Sequence, residues 1–322
     1  MTKAKEEVKI NDLIFKELIK RGYSLEGNTR VWNIADSKLW YLTPEQAQSY
    51  LDMVDSEEYQ DGIGSKEFNL IKKDMADLTN SVGKMPVNII DLGCGNGKKA
   101  MLFIQNLNKK IKLRYCPIDI SGYMVDRAMQ NMKEIGGVGD IVKFQWNISD
   151  FENLENITPL LTRGEFKKNF FLLLGNTLGN FEIHEILYEI RSSMKDNDLL
   201  LIGNGLNNHR VEEDLVKQSQ NDEKIKSFLE HMPLKLGLKK GDIEYGVRFK
   251  DPRVEFYYTI KTDRAITFQD KKVRFNKGDQ IIVAVTYHFE KENFLGYLKM
   301  YFGSVKIFTS EDGSYALALC KK

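Results

Sequence analysis

Asp91, Gly93, Gly95 and Gly97 stand close together in the string VNIIDLGCGNGKKA, Val87 to Ala100. Their types and spacing are those of a ligand loop. A short apolar run ends in an acid, a glycine-rich turn follows, and apolar residues recur at helical spacing from Lys98 to Leu107. Glycine lets the chain turn sharply and approach a ligand closely, because no Cβ intervenes. A dinucleotide site needs GxGxxG, which seats a pyrophosphate on the helix N-terminus. Here Lys98 takes the place of the third glycine of that pattern, and the Asp91 carboxylate just before the turn opposes a diphosphate. DxGxGxG instead favours a zwitterionic ligand without phosphate, as in S-adenosyl-L-methionine.

Two further strand ends fit that ligand. Asp119 closes the next candidate strand 28 residues after Asp91 and can accept both hydroxyls of a ribose. Asp150 and Phe151 follow the third strand, where a carboxylate or backbone amide can read an adenine edge and an aromatic ring can stack on it. Taken singly, these are a structural turn, a solvated strand-end acid and a helix cap beside a core aromatic. In this order at successive strand ends they predict a cofactor site made by Asp91, Gly93, Gly95, Asp119, Asp150 and Phe151.

The elements that must position them follow from periodicity. Strands are predicted at 87–92, 113–118, 141–145, 170–174 and 199–202, with helices near 98–107, 122–134, 151–163 and 183–195 between them. Near-continuous apolar strands such as FFLLL suit a sheet covered on both faces. The fold class predicted is α/β: a class I methyltransferase (Rossmann-like), doubly wound, mostly parallel seven-stranded sheet, completed by a C-terminal helix and hairpin, with a second α+β substrate lobe. Before the first strand, helices are predicted at 7–20, from Thr43-Pro44 with a Thr43/Gln46 capping box, and at 64–79. The stretch 23–42 is irregular and rich in Trp and Tyr; it reads as lobe core or, if it faces the cleft, as an aromatic cage. Residues 206–250 read as mostly helical, followed by short strands and a longer one at 280–289. The expected domains are 1–62 with 206–287 as the substrate lobe, and 63–205 with 288–322 as the cofactor-binding core.

Composition sets outer limits. Of 322 residues, 47 are Lys or Arg and 46 Asp or Glu, so a net charge of +1 gives no global field for nucleic acid. Three cysteines form no disulfide framework, the N-terminus lacks the apolar core of a secretory signal, and no apolar run reaches the roughly 18 residues of a membrane helix. A cytoplasmic protein with neither membrane nor nucleic-acid partner is expected. The four histidines show no metal-ligand spacing, so no metal is expected.

A closer resemblance lies past the fourth strand. FLLLGNTLGNFE (171–182), YCPIDIS (115–121), RVEFYYTI (253–260) and FNKGDQIIVAVTYHF (275–289) resemble segments of the histidine Nα-methyltransferase family of ergothioneine biosynthesis. That resemblance implies an S-adenosylmethionine-dependent methyltransferase. It places Gly93 and Lys99 on cofactor contacts, Asp119 on the ribose acid, Asp150 and Phe151 on the adenine contacts, and Asn180 on the group that holds the substrate's amino and carboxylate end. Tyr59 stands where the family carries a tyrosine motif, here reduced to YQDGIGSKE (59–67). The family's Glu-x-Ser, which grips the imidazole of histidine, corresponds to Ala284 and Thr286. A methyl cannot partner a cationic or N–H-bearing ring, and losing such a partner costs about 2–5 kcal/mol.

The expected acceptor is therefore a small-molecule amine or amino acid other than free histidine. A protein side chain or terminus, and a non-catalytic cofactor-binding subunit, remain as alternatives. Asn180, Tyr59 and Thr286 are the catalytic candidates, with Asn180, Ala284, Thr286 and His288 lining the acceptor.

Overall fold

The computed structural model describes residues 10–60, 64–107, 111–135, 139–207 and 211–322. In chain order the elements are α1 (Asp12–Arg21), β1 (Tyr23–Glu26), β2 (Thr29–Asn33), α2 (Pro44–Val54), α3 (Glu57–Tyr59), α4 (Ser65–Lys73) and α5 (Met75–Val82). The alternating part follows: β3 (Val87–Leu92), α6 (Lys98–Leu107), β4 (Leu113–Ile118), α7 (Gly122–Ile135), β5 (Asp140–Ile141), α8 (Leu154–Leu161), β6 (Lys168–Leu173), α9 (Ile183–Ser193) and β7 (Leu199–Gly205). The rest comprises α10 (Val211–Asn221), α11 (Glu223–Lys235), β8 (Ile243–Lys250), β9 (Arg253–Ile260), β10 (Arg264–Phe268), β11 (Lys271–Phe275), β12 (Gln280–Tyr287), α12 (Lys291–Tyr301), β13 (Ser304–Thr309) and β14 (Tyr315–Lys321).

The chain divides into two compact units, 54–211 with 287–322 and 1–53 with 212–286, so that, among the described residues, 54–60 group with the larger one. The larger unit holds a seven-stranded sheet in the order β13-β14-β7-β6-β3-β4-β5. The β7-β6-β3-β4-β5 run is parallel, and β14 joins β7 antiparallel through the C-terminal hairpin. Every residue of β3 and of β7 is buried, as a sheet covered on both faces requires. Ile89, Phe103, Phe170, Leu172 and Leu201 belong to one core, in which the Phe103 and Phe170 rings meet edge to face at 5.9 Å. From β3 the chain moves outward to β4 and β5, then returns to the other side of β3 as β6 and β7. That reversal opens a crevice at the carboxyl ends of β3 and β6.

The smaller unit contains a five-stranded sheet, β1-β2-β12-β9-β8, and the β10-β11 ribbon. Its aromatic stretch is core: Trp32 and Trp40 are buried, the Trp40 indole donates to the Val283 carbonyl at 2.9 Å, and Trp40 and Tyr41 pack on Phe228.

Local expectations fail where a polar side chain overrules periodicity. The third parallel strand stops at Ile141, not 145. The Asn147 side chain takes the Phe144 N–H (2.7 Å) and donates to the Pro117 carbonyl (2.7 Å), replacing ladder bonds. The helix expected over 64–79 breaks at Asp74 into α4 and α5. The helix expected over 7–20 starts within the described residues at Asp12, where the Asn11 side chain accepts the Leu13 and Ile14 N–H groups; residues 7–9 lie outside the described residues. Thr43 caps α2 through the Gln46 N–H (3.4 Å), but the Gln46 amide donates to the Leu39 carbonyl, so only half of the capping box forms. The irregular stretch contains the β1-β2 hairpin. Within the segment read as helical, β8 buries Ile243, Tyr245 and Val247 at a strand's two-residue period.

Candidate active site

The glycine turn occupies the crevice at the end of β3. The Gly93 and Cys94 N–H groups donate to the Ile118 carbonyl at 2.8 and 3.2 Å, which ties the turn to the end of β4. The Asn96 side chain caps α6 by accepting the Lys98 N–H at 3.2 Å. Gly97 has a φ of 74°, and a Cβ there would stand 3.2 Å from the Ala128 backbone and from the Tyr115 hydroxyl, so only glycine lets α6 and α7 pack this closely. At Gly95 a Cβ would meet nothing within 4 Å, so the tip of the turn borders open space.

Two buried carboxylates flank the turn. Asp91 accepts a 2.8 Å hydrogen bond from the Tyr115 hydroxyl; burial pushes its pKa up to about 7 against that bond. Asp119 accepts the Gly95 N–H at 3.1 Å and the Ser121 N–H at 3.0 Å. Burial raises it to about 6, and those N–H groups hold it below what burial alone would give. The Asp119 backbone pairs with Asn147 and Ser149, which brings Asp150 and Phe151 alongside. Beside Asp119, Ile120 and Ile148 are exposed apolar side chains, and Phe151 packs on Phe181 at 5.4 Å.

This arrangement fits S-adenosylmethionine. Chemically, the open glycine turn can admit an amino-acid end, Asp119 can accept from ribose hydroxyls, and the exposed Ile120 and Ile148 offer apolar surface to a flat base. The α6 N-terminus offers no glycine cradle for a diphosphate, since Lys98 stands there and its ammonium pairs with Asp55 at 2.7 Å.

The loop leaving β6 forms the other side of the crevice. Thr177 approaches Gly93 directly: a Cβ on that glycine would lie 3.1 Å from the Thr177 methyl. Asn176 is left-handed (φ 60°), and its carboxamide oxygen accepts the Gly205 N–H at 2.7 Å. Asn180, half-buried, ends this loop beside Phe181, and Glu182 accepts the Tyr287 hydroxyl. His288 is buried with its ring edge against Gly205, where a Cβ would lie 2.8 Å from Cε1. Neither of its ring nitrogens has a hydrogen-bond partner among the described residues, and burial lowers its pKa to about 4. A buried imidazole normally finds partners, and both nitrogens of this ring, packed at the end of β7, are closed off from solvent.

A family profile described as histidine-specific methyltransferase, SAM-dependent, matches residues 47–322. The chain belongs to that family. It is thus an S-adenosylmethionine-dependent methyltransferase, and its sheet has the class I form. No curated protein matches the chain. Among solved structures it is similar to an S-adenosylmethionine-dependent methyltransferase from Clostridium acetobutylicum ATCC 824, at 15% identity over 85% of this chain and 98% of that one, with a TM-score of 0.44. It is also similar to a protein from Pyrococcus horikoshii OT3 (14%, 86% and 98%, TM-score 0.45). A third is 1,6-didemethyltoxoflavin-N1-methyltransferase from Burkholderia thailandensis (10%, 93% and 97%, TM-score 0.40).

Within the larger unit of this methyltransferase, Asp91, Gly93, Gly95, Lys99, Asp119, Asp150, Phe151 and Asn180 gather at the carboxyl ends of β3, β4 and β6, the end of the sheet that the sequence predicts. Tyr59 is in the same unit. Desolvation, aided by the Glu67 charge, pushes its phenol up, so it remains a donor and is a poor proton acceptor. Ala284 and Thr286 share one face of β12 in the smaller unit, Ala284 buried and Thr286 half-buried. Of the other histidines, His184 packs on Tyr297 and Tyr301, His231 is half-buried on α11, and His209 lies outside the described residues.

Sequence reasoning passes over Tyr115, Ile120 and Ile148, whose roles depend on neighbours distant in the chain. It also passes over Glu67, which is completely buried and paired with Lys99. Its only sequence signal is a place in the degraded YQDGIGSKE string. Lys99, assigned to the cofactor by resemblance, is engaged by this carboxylate.

Proposed function

We propose that this methyltransferase N-methylates a small amine or amino acid other than free histidine, with the smaller unit as its acceptor lobe. The observation that carries the reading is the buried methyl of Ala284. Where the resembled family sets a carboxylate against the imidazole of histidine, this strand face has no charge to offer a cation or a ring N–H.

S-adenosylmethionine supplies an electrophilic methyl group on its sulfonium when bound. The chain's own task is then to hold a neutral nucleophile in line with that methyl and to keep water away. Asp119 and the Ile120–Ile148 slot fix the nucleoside end, while the glycine turn and Lys99 face the amino-acid end. Asn180, through its carboxamide, orients the acceptor. His288, neutral because of its burial, can accept one hydrogen bond from an N–H of the acceptor and donate another. With the Tyr59 phenol held protonated and His288 a weak base, the amine proton leaves to solvent. The three cysteines are free and buried, which suits a reducing compartment such as the cytoplasm.

The test is transfer of isotopically labelled methyl from S-adenosylmethionine in a metabolite extract and, separately, in a protein extract. Label in small amines with none on free histidine supports the reading. Label on free histidine, or only in protein, overturns it.

A further inference from the structure

We propose that Glu67 is a positioning residue that locks the cofactor-side turn and the acceptor-side loop into one arrangement, acting through Lys99 and Gly175. The inference rests on the cofactor site described above and extends it to a residue outside the glycine turn.

Five segments of the larger unit converge on this carboxylate. It belongs to α4 and is fully buried. One oxygen accepts the Tyr315 hydroxyl of β14 at 2.8 Å, and the other pairs with the Lys99 ammonium in the first turn of α6. The Gly175 N–H, at the start of the loop after β6, points at both oxygens, at 2.9 and 3.1 Å. Gly203 on β7 lies beneath: a Cβ there would overlap a carboxylate oxygen, so the glycine is what seats this side chain.

The consequence follows from what each partner carries. Lys99 lies just beyond the glycine turn, and its ammonium reaches across the crevice to Gly175, where a Cβ would stand 2.8 Å from Nζ. From Gly175 the chain runs through Asn176, which is tied to Gly205, to Thr177, which touches Gly93, and on to Asn180. Glu67 thus fixes the cation beside one half of the site and the origin of the loop bearing the other. A strut for stability alone would not need a charge. A buried ion pair recovers little beyond its own desolvation, and an apolar pair of similar volume often serves as well.

The experiment measures S-adenosylhomocysteine affinity by calorimetry and melting temperature for wild type, Glu67→Gln, Lys99→Met, the double variant and Lys99→Arg. Gln keeps one acceptor oxygen, which the Tyr315 hydroxyl and the Gly175 N–H can share, and replaces the charged oxygen facing Lys99 by a neutral amide. The expected result is about tenfold weaker binding in each of Glu67→Gln and Lys99→Met, no further loss in the double variant, and recovery of most of the affinity in Lys99→Arg. Unchanged affinity with a lowered melting temperature in Glu67→Gln would overturn the proposal, as would losses that multiply in the double variant. Should Glu67→Gln fail to fold, unchanged affinity in Lys99→Met, whose side chain is 20% exposed, overturns it equally. Wild type that does not bind S-adenosylhomocysteine would instead refute the cofactor reading.

Discussion

Asp119 illustrates how a buried carboxylate is held at a strand end. The Gly95 and Ser121 N–H groups hold its carboxylate in place, while burial pushes its pKa up to about 6 against those bonds. Asp119→Ala should weaken S-adenosylhomocysteine binding by about 1.5–3 kcal/mol, the range for a hydrogen bond to a charged group; calorimetry checks it. Asn180→Ala should leave that binding nearly intact and cut methyl transfer strongly, so a variant with wild-type turnover would remove Asn180 from the site. Two buried groups give the apo protein opposite pH dependences. Asp91, raised from 3.8 to about 7, favours folding while protonated, and this contribution is lost as pH rises from about 4 through 7. His288, lowered from 6.5 to about 4, contributes stability that is present above 6.5 and lost as pH falls through 4. At full effect these are worth about 4 kcal/mol for Asp91 and about 3 kcal/mol for His288. Relative to wild type, Asp91→Asn should gain stability with rising pH over the first window, and His288→Gln should gain it with falling pH over the second, read by urea unfolding across pH. The place of Asp119 was legible in the sequence because it depends on position at a strand end. Glu67 was not, because its partners Lys99, Gly175 and Tyr315 come from distant segments.

At the level of elements, the parallel strands and the helices between them were readable because continuous apolar runs and helical periodicity suffice to place them. What escaped was set by single side chains: Asn147 truncating β5, Asp74 parting α4 from α5, and Gln46 turning to Leu39. In β8 the charged residues concealed a two-residue period. The glycine turn is where element packing and ligand binding meet. Gly97→Ala forces a Cβ against the Ala128 backbone at a φ of 74°. The variant should lose about 1–3 kcal/mol of stability, as overpacking does, together with cofactor affinity, measured by thermal melting with and without S-adenosylhomocysteine. A melt equal to wild type would show that α6 and α7 can separate without cost.

Across the whole molecule, a seven-stranded sheet with one reversed strand presents its crevice where the strand order turns, and the family match over residues 47–322 agrees with the chemistry found there. After Gly205 the alternating α/β pattern gives way to helices and short strands. The acceptor is a proposal and was less legible, because the sequence signals at Ala284 and His288 are only a missing charge and an isolated histidine. The central claim, a sulfonium-cofactor site built on the glycine turn and Asp119, is tested most directly by calorimetric titration of the wild-type protein and Asp119→Ala with S-adenosylhomocysteine and with NADH. The account predicts saturable S-adenosylhomocysteine binding to wild type, a clear loss in the variant, and no NADH binding. Binding of NADH without S-adenosylhomocysteine, or equal S-adenosylhomocysteine affinity in both proteins, would contradict it.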